Sequence, residues 1–196
     1  MAEISVEQIK KLKELSGAGL TDSKKALVEA DGDFDKALEA MRKKGLTKAE
    51  KRGDRETREG LVDSYIHDGR LGAIVEVNCE TSFVAKTDEF KALAHQIAMQ
   101  VASMAPLYVS EDDIPAEAKE AKMKELEENF KGPENMKEQI LGGQIKKAFS
   151  DKVLMNQPYI LDDSKTVEQF IKEAIAKTGE NITVRQFKRI ELGVTE

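Results

Sequence analysis

The chain has 196 residues, with one cysteine, Cys79, and two histidines, His67 and His95. These are the side chains best suited to nucleophilic or metal chemistry near neutral pH, and their scarcity limits both. Neither a zinc cluster nor a histidine-rich metal site can be assembled from them. A thiol nucleophile needs exposure and a neighbouring base, whereas Cys79 ends an apolar run where a small buried thiol is the simpler reading. His67 lies beside a turn and His95 on a polar helix face, positions typical of solvated surface histidines. "GAG" (17–19) and "GG" (142–143) lack the strand-then-helix frame of a phosphate loop. With 37 acidic residues, close carboxylate pairs arise by chance, and no pair stands out as an acid/base couple. The expectation is a protein with no active site of its own, not an enzyme, and with no metal or cofactor.

One stretch asks for something else. In "VNCETSFV" (77–84) a large apolar side chain, Phe83, follows polar residues just past the end of a strand, in a loop-like segment. Either Phe83 folds back into the core or it is held out for another molecule. Nucleic acid is a poor fit for that molecule. The net charge is −6, whereas a phosphate-backbone binder needs a basic surface. The basic runs "KKGLTKAEKR" (43–52) and "RQFKR" (185–189) do not alternate with aromatics as a stacking surface does. With 40% apolar and 35% charged residues, the composition suggests a helix-rich protein with much solvated surface. A lone cysteine, a charged N-terminus without a signal-type core and no long apolar run predict a cytoplasmic protein without a membrane segment.

The elements that must position Phe83 follow from periodicity. Residues 1–45 suggest three short helices. Ser5-Val6-Glu7-Gln8 is a capping box, with Val6, Ile9 and Leu12 on one face. "SGAG" stops that helix and Thr21 can cap a second. Phe34, Ala37, Leu38 and Met41 mark a third, ended by Gly45. Residues 46–59 form a charged linker that could be partly helical. A hairpin follows, "LVDSYI" and "LGAIVEV" around Asp68-Gly69, and Leu71, Ala73, Val75 and Val77 share its buried face. Thr87-Asp88-Glu89 starts a helix with the stripe Phe90, Leu93, Ala94, Ile97, Val101 and Met104. Residues 117–150 suggest a protruding helical hairpin with a narrow apolar seam, joined by "KGPEN". Thr166 to Gln169 is a second capping box, before a helix to Gly179. "NITVRQFKRIEL" (181–192) alternates as a third strand, with Ile182, Val184 and Ile190 on one face and Phe187 on the other. The fold class expected is α+β: a three-helix unit, then a core (60–196) of a small antiparallel three-stranded sheet with packed helices and an inserted arm. Such a chain would grip a partner at separated points.

The residues carry a resemblance. "LKELSGAGLTDSKKALVEADGDFDKALEAMRKKG" (12–45), "VEVNCETSFVAKTDEF" (75–90), "QPYILDDSKTVEQFIKE" (157–173) and "GENITVRQFKRIELG" (179–193) together resemble the bacterial elongation factor Ts family, in order and along essentially the whole chain. The resemblance implies a ubiquitin-associated-like (UBA-like) N-terminal domain, a core and a coiled-coil arm. It implies a guanine-nucleotide exchange factor that binds elongation factor Tu·GDP and promotes GDP release by disturbing the Mg2+/nucleotide site, in translation elongation. It also implies no cofactor and a possible homodimer through the core sheet. The alternative is a binding module, or an RNA-associated factor, that holds a partner without driving exchange.

By the same resemblance, the family's magnesium-dislocating motif falls on Thr81, Ser82, Phe83 and Val84, with Phe83 displayed to the partner. Contact positions of the head fall on Ile9, Lys10, Leu12, Lys13, Leu20 and Thr21, and His67 matches a further contact histidine. Three departures stand out. Ser82 replaces the motif's acid, Thr21 is polar where many relatives carry a second methionine, and Thr178 stands where isoleucine is common.

Overall fold

The computed structural model describes residues 4–16, 18–50, 52–130, 132–133 and 136–194. Gly17 of "SGAG", most of "KGPEN", and the side chains at 42, 45–48 and 50–51 lie outside the described set, so those parts of the motifs above are not placed. The protein is α+β, with an antiparallel three-stranded sheet of order β1 (Glu59–His67), β2 (Leu71–Cys79), β5 (Ile182–Glu191) and a second pair, β3 (Pro158–Tyr159) with β4 (Asp162–Thr166). Its chain divides into two compact units, and several strands and helices run from one into the other.

The head is built from α1 (Val6–Ser16), α2 (Leu20–Glu29) and α3 (Phe34–Glu50). The first capping box forms as the pattern predicts. Gln8 N–H donates to Ser5 Oγ at 3.1 Å, and Ser5 N–H donates to Gln8 Oε1 at 3.0 Å. Two expectations are corrected. Helix α2 starts one residue before Thr21, capped by Gly19; Ser23 Oγ, not Thr21, hydrogen-bonds the Gly19 carbonyl at 3.0 Å. Helix α3 runs through Gly45 to Glu50. One glycine costs a helix only about 1 kcal/mol, and Ala49 is buried beyond it. Between α2 and α3 the amide of Gly32 donates to the Leu27 carbonyl at 2.8 Å, a Schellman closure whose left-handed residue is Asp31, at φ +51°. Leu12, Ala26, Leu27, Ala37 and Met41 form the head's core, with Ile9, Phe34 and Leu38 packed on it.

Strands β1 (Glu59–His67) and β2 (Leu71–Cys79) meet at Asp68 and Gly69, whose φ values of 48° and 64° are those of a two-residue hairpin turn matched to strand twist. Ala73, Val75, Val77 and Cys79 are buried on one face of β2. The next segment is not a loop: it is a one-turn helix, α4 (Ser82–Ala85). Helix α5 (Asp88–Met104) buries Phe90, Leu93, Ala94, Ile97 and Val101, while Met104, predicted to join them, is exposed.

The arm consists of α6 (Ala116–Glu128) and α7 (Lys137–Ser150). Its base is anchored where Ile114, Phe149 and Val153 pack with Tyr108 and Ile145. The pair β3 (Pro158–Tyr159) and β4 (Asp162–Thr166) was not expected from the sequence. Buried Gln100 of α5 holds it: its amide donates to Gln157 Oε1 and to the Pro158 carbonyl, both at 3.1 Å, and accepts from Ile160 N–H at 2.8 Å. Helix α8 (Val167–Thr178) precedes β5 (Ile182–Glu191). In β5 the expected alternation shifts. Ile182 and Val184 are buried but Ile190 is exposed, and Arg189 Nε reaches the Ala102 carbonyl at 3.0 Å. Arg185 and Gln186 are consecutive and both exposed, and beyond them the half-buried positions are Phe187 and Arg189.

Two glycines predict opposite outcomes. At Gly60 (φ +153°) a Cβ would lie 2.2 Å from the Val77 carbonyl oxygen, whereas Gly142 in α7 has nothing within 4 Å. Gly60→Ala is expected to destabilise by roughly 1–3 kcal/mol, and Gly142→Ala to stabilise by roughly 0.5–1 kcal/mol. Urea unfolding of the two variants checks the signs; a neutral Gly60→Ala would refute the close approach.

Candidate functional site

The stretch around Phe83 is organised by its neighbours, not by Phe83. Strand β2 ends at Cys79, whose thiol donates to the Thr81 carbonyl at 3.2 Å. Burial, reinforced by the charge of Glu180, raises the Cys79 pKa. The thiol therefore stays protonated and fully buried, which makes it a structural group and not a nucleophile. Thr81 caps α4, its Oγ1 accepting from Val84 N–H at 3.4 Å. Thr87 closes the other end: its hydroxyl donates to the Val84 carbonyl at 2.8 Å and accepts from Phe90 N–H at 3.2 Å, so it also starts α5.

Two carboxylates then tie this corner to the start of β5. Glu80 accepts Asn181 N–H at 2.7 Å. Glu180 accepts Thr81 N–H at 3.0 Å and the Thr81 hydroxyl at 2.6 Å. Each acid thus takes the backbone amide of the residue that follows the other acid. Arg55 Nη1 lies 3.4 Å from Glu80 Oε1. The Asn181 side chain extends the tie by donating to the carbonyls of Gly53 at 3.1 Å and Arg55 at 2.8 Å. The Asn181 amide first, and Arg55 second, hold the Glu80 carboxyl below its ordinary pKa.

On this frame Val84 and Ala85 are buried and Phe83 is not: its side chain is 80% exposed. Ser82 is exposed beside it. Of the two readings of the sequence, a ring folded into the core or one held out, the second describes this structure. Sequence reasoning did not find Glu80, Glu180, Asn181 or Arg55. The signal was a matched pair of steps, Glu80-Thr81 after one strand and Glu180-Asn181 before another, separated by 100 residues.

The other expected contact residues are dispersed. Lys10 and Lys13 on α1, and Leu20 and Thr21 at the start of α2, are exposed, and Ile9 is half-buried. Leu12 is 0% exposed, inside the head's own core. Its side chain therefore offers nothing to a partner directly, a correction that the i, i+3 spacing of Ile9 and Leu12 on one apolar face makes physical sense of. His67 belongs to the other compact unit, with Tyr65 Oη 3.0 Å from its Nδ1. His95 Nδ1 lies 3.3 Å from Asp63 Oδ2. Among the described residues no group of three or more His, Cys, Asp or Glu could hold a metal ion, and no helix is long and apolar enough to cross a membrane.

The sign of the Glu80 shift fixes a pH dependence. A carboxyl lowered in the folded state contributes stability that is complete above its unfolded pKa of about 4.3 and is lost as pH falls through the folded value. The NMR titration midpoint of Glu80 is expected below that of a free glutamate, with Glu80→Gln losing less stability on acidification than the wild type. A midpoint at or above the ordinary value would rule out the tie to Asn181.

A family model described as elongation factor TS matches residues 3–194. The chain is similar to proteins named elongation factor Ts from several bacteria. With that of Thermotoga maritima it is 52% identical over 193 residues, 97% of both chains. With that of Rippkaea orientalis it is 52% identical over 199 residues, 98% of this chain and 80% of the other. With that of Moorella thermoacetica it is 48% identical over 194 residues, 97% and 96% of the two chains.

Proposed function

The chain belongs to the elongation factor Ts family, and from that premise we propose that it is a guanine-nucleotide exchange factor for elongation factor Tu in translation elongation, with Phe83 as the side chain that loosens the partner's nucleotide site. The observation that carries the reading is an exposed phenylalanine on a helical turn whose remaining contacts are made elsewhere. Leaving such a ring in water forgoes roughly 1.5–3 kcal/mol of burial. That free energy becomes available when a partner covers it.

The mechanism follows from linkage. An exchanger that binds the nucleotide-free partner more tightly must weaken nucleotide binding by the same factor. Mg2+ holds near-ideal octahedral geometry, so a ring that shifts an element carrying its ligands lowers nucleotide affinity steeply. Thr81 and Val84 hold the turn, Phe83 enters, and Ser82, neutral where relatives carry an acid, supplies a hydroxyl that can donate or accept one hydrogen bond. Lys10, Lys13 and Leu20 are the head positions that would add a second contact, with Ile9 at its edge and Leu12 holding α1 in place from beneath. His67 would make a third. Exposed Ile66, Ile74 and Ile190 on the three sheet strands offer apolar surface for a homodimer through the core sheet. No cofactor enters the mechanism, and the site of action is the cytoplasm, where elongation factor Tu works.

The test is release of a fluorescent GDP from elongation factor Tu by substoichiometric amounts of this protein. The wild type is expected to accelerate release. Phe83→Ala, whose folding should be unchanged, is expected to lose about 10- to 100-fold of that acceleration, the rate equivalent of the burial energy. A passive binding module would bind the partner without accelerating release, and that result would remove the exchange reading.

A further inference from the structure

We propose that Glu180 is a positioning residue for Phe83, its carboxylate fixing the direction in which α4 presents the ring. The biological meaning rests on the exchange reading above, but the geometry belongs to this chain alone. A side chain that is 80% exposed cannot be oriented by its own packing, so its backbone must be. A four-residue helix has no stability of its own, because the first helical turn costs more than it gains. Something outside α4 therefore holds it.

Burial of Val84 and Ala85 supplies one side. Glu180 supplies the other. One of its oxygens takes Thr81 N–H, and the other takes the Thr81 hydroxyl proton at 2.6 Å. A hydroxyl has a single proton and two acceptor sites. Committing that proton to Glu180 leaves the Thr81 lone pairs for Val84 N–H, which is the cap of α4. The carboxylate thus sets the cap, and the cap sets the turn.

Glu180 is itself held. Helix α8 ends at Thr178, whose hydroxyl donates to the Ala174 carbonyl at 2.9 Å and accepts Glu180 N–H at 3.3 Å. Gly179 between them takes φ +79°, a left-handed conformation suited to glycine. The chain of support runs from the end of α8 through Thr178 to Glu180, Thr81 and Phe83. Thr178, one of the departures from the family pattern, contributes a hydroxyl where isoleucine would have none.

The protein contains no tryptophan, so Phe83→Trp places a single emitter at the displayed position. Its nanosecond anisotropy decay should show restricted rotation. Adding Glu180→Ala should collapse that restriction. Glu180→Gln, which keeps one acceptor oxygen, should fall between the two, with circular dichroism and thermal midpoint nearly unchanged in all three. An unchanged decay, or a loss that appears only together with global unfolding, would overturn the proposal. GDP release then separates positioning from direct contact in a double-mutant cycle. Glu180→Ala is expected to lower kcat about tenfold, the rate equivalent of losing a charged hydrogen-bond acceptor, to leave KM within about twofold, and to add nothing in the Phe83→Ala background. Additive losses would assign Glu180 its own contact or a purely structural part, and would also overturn it. Should the wild type fail to release GDP, the exchange reading falls while the anisotropy series still decides whether Glu180 positions residue 83.

Discussion

Glu80 and Glu180 exchange backbone partners across a corner where three segments meet. The exit of β2, the entry of β5 and the turn that follows α3 are joined through Asn181, Thr81 and the carbonyls of Gly53 and Arg55. The bonds to Glu80 and Glu180 are to charged acceptors, which are stronger than neutral ones. They satisfy backbone amides that have left the sheet ladder and would otherwise need water. Helix α4, and with it the displayed ring, exists as an extension of this corner. A single apolar contact could not do the same, because hydrophobic packing is non-directional, whereas these hydrogen bonds fix a direction.

The molecule uses different physics in its other parts. The head relies on a few fully buried aliphatic side chains, Leu12 and Leu27 above all, and capping carries much of the definition of α1. The sheet buries one face of β2 and leaves Ile66, Ile74 and Ile190 to solvent. A buried amide pair, Gln100 and Gln157, fixes β3, and each polar atom named in that contact has a partner, as interior polar groups require. Specific geometry is thus concentrated where strands end, and bulk burial where helices stack.

Local chemistry made much of this visible in the sequence. The Ser5–Gln8 box, the Asp68-Gly69 turn and the apolar stripe of α5 each have a mechanism that acts within a few residues, and each formed, with Met104 at the end of the stripe the exception. The differences arise where distant contacts decide. Gly45 does not stop α3 because Ala49 has a burial site to reach. In β5 the alternation of burial breaks at Arg185 and Gln186, and Ile190 is exposed. The one-turn helix at Ser82 has no periodicity to detect and depends on an acid about a hundred positions away. For the site, the resemblance pointed to Phe83, and the exposed ring agrees with display. It could not distinguish Leu12, which shapes the head from within, from Lys13, which lies on its surface. Nor could it reveal Glu180, whose part is defined by what it holds.

The residues after α3 look in sequence like a free tether, yet they are fastened almost at once. Arg52 reaches the Ile175 carbonyl at 3.4 Å, and Gly53 and Arg55 are held by Asn181. A short leash confines whatever it carries to a small volume. Once one surface of the protein is engaged, a second on the head is kept close by and not free in the bulk solution. Its effective concentration is then in the millimolar range typical of short connections. Contacts too weak to matter separately can in this way act as one, and the strength of the grip becomes a property of connectivity as much as of any side chain.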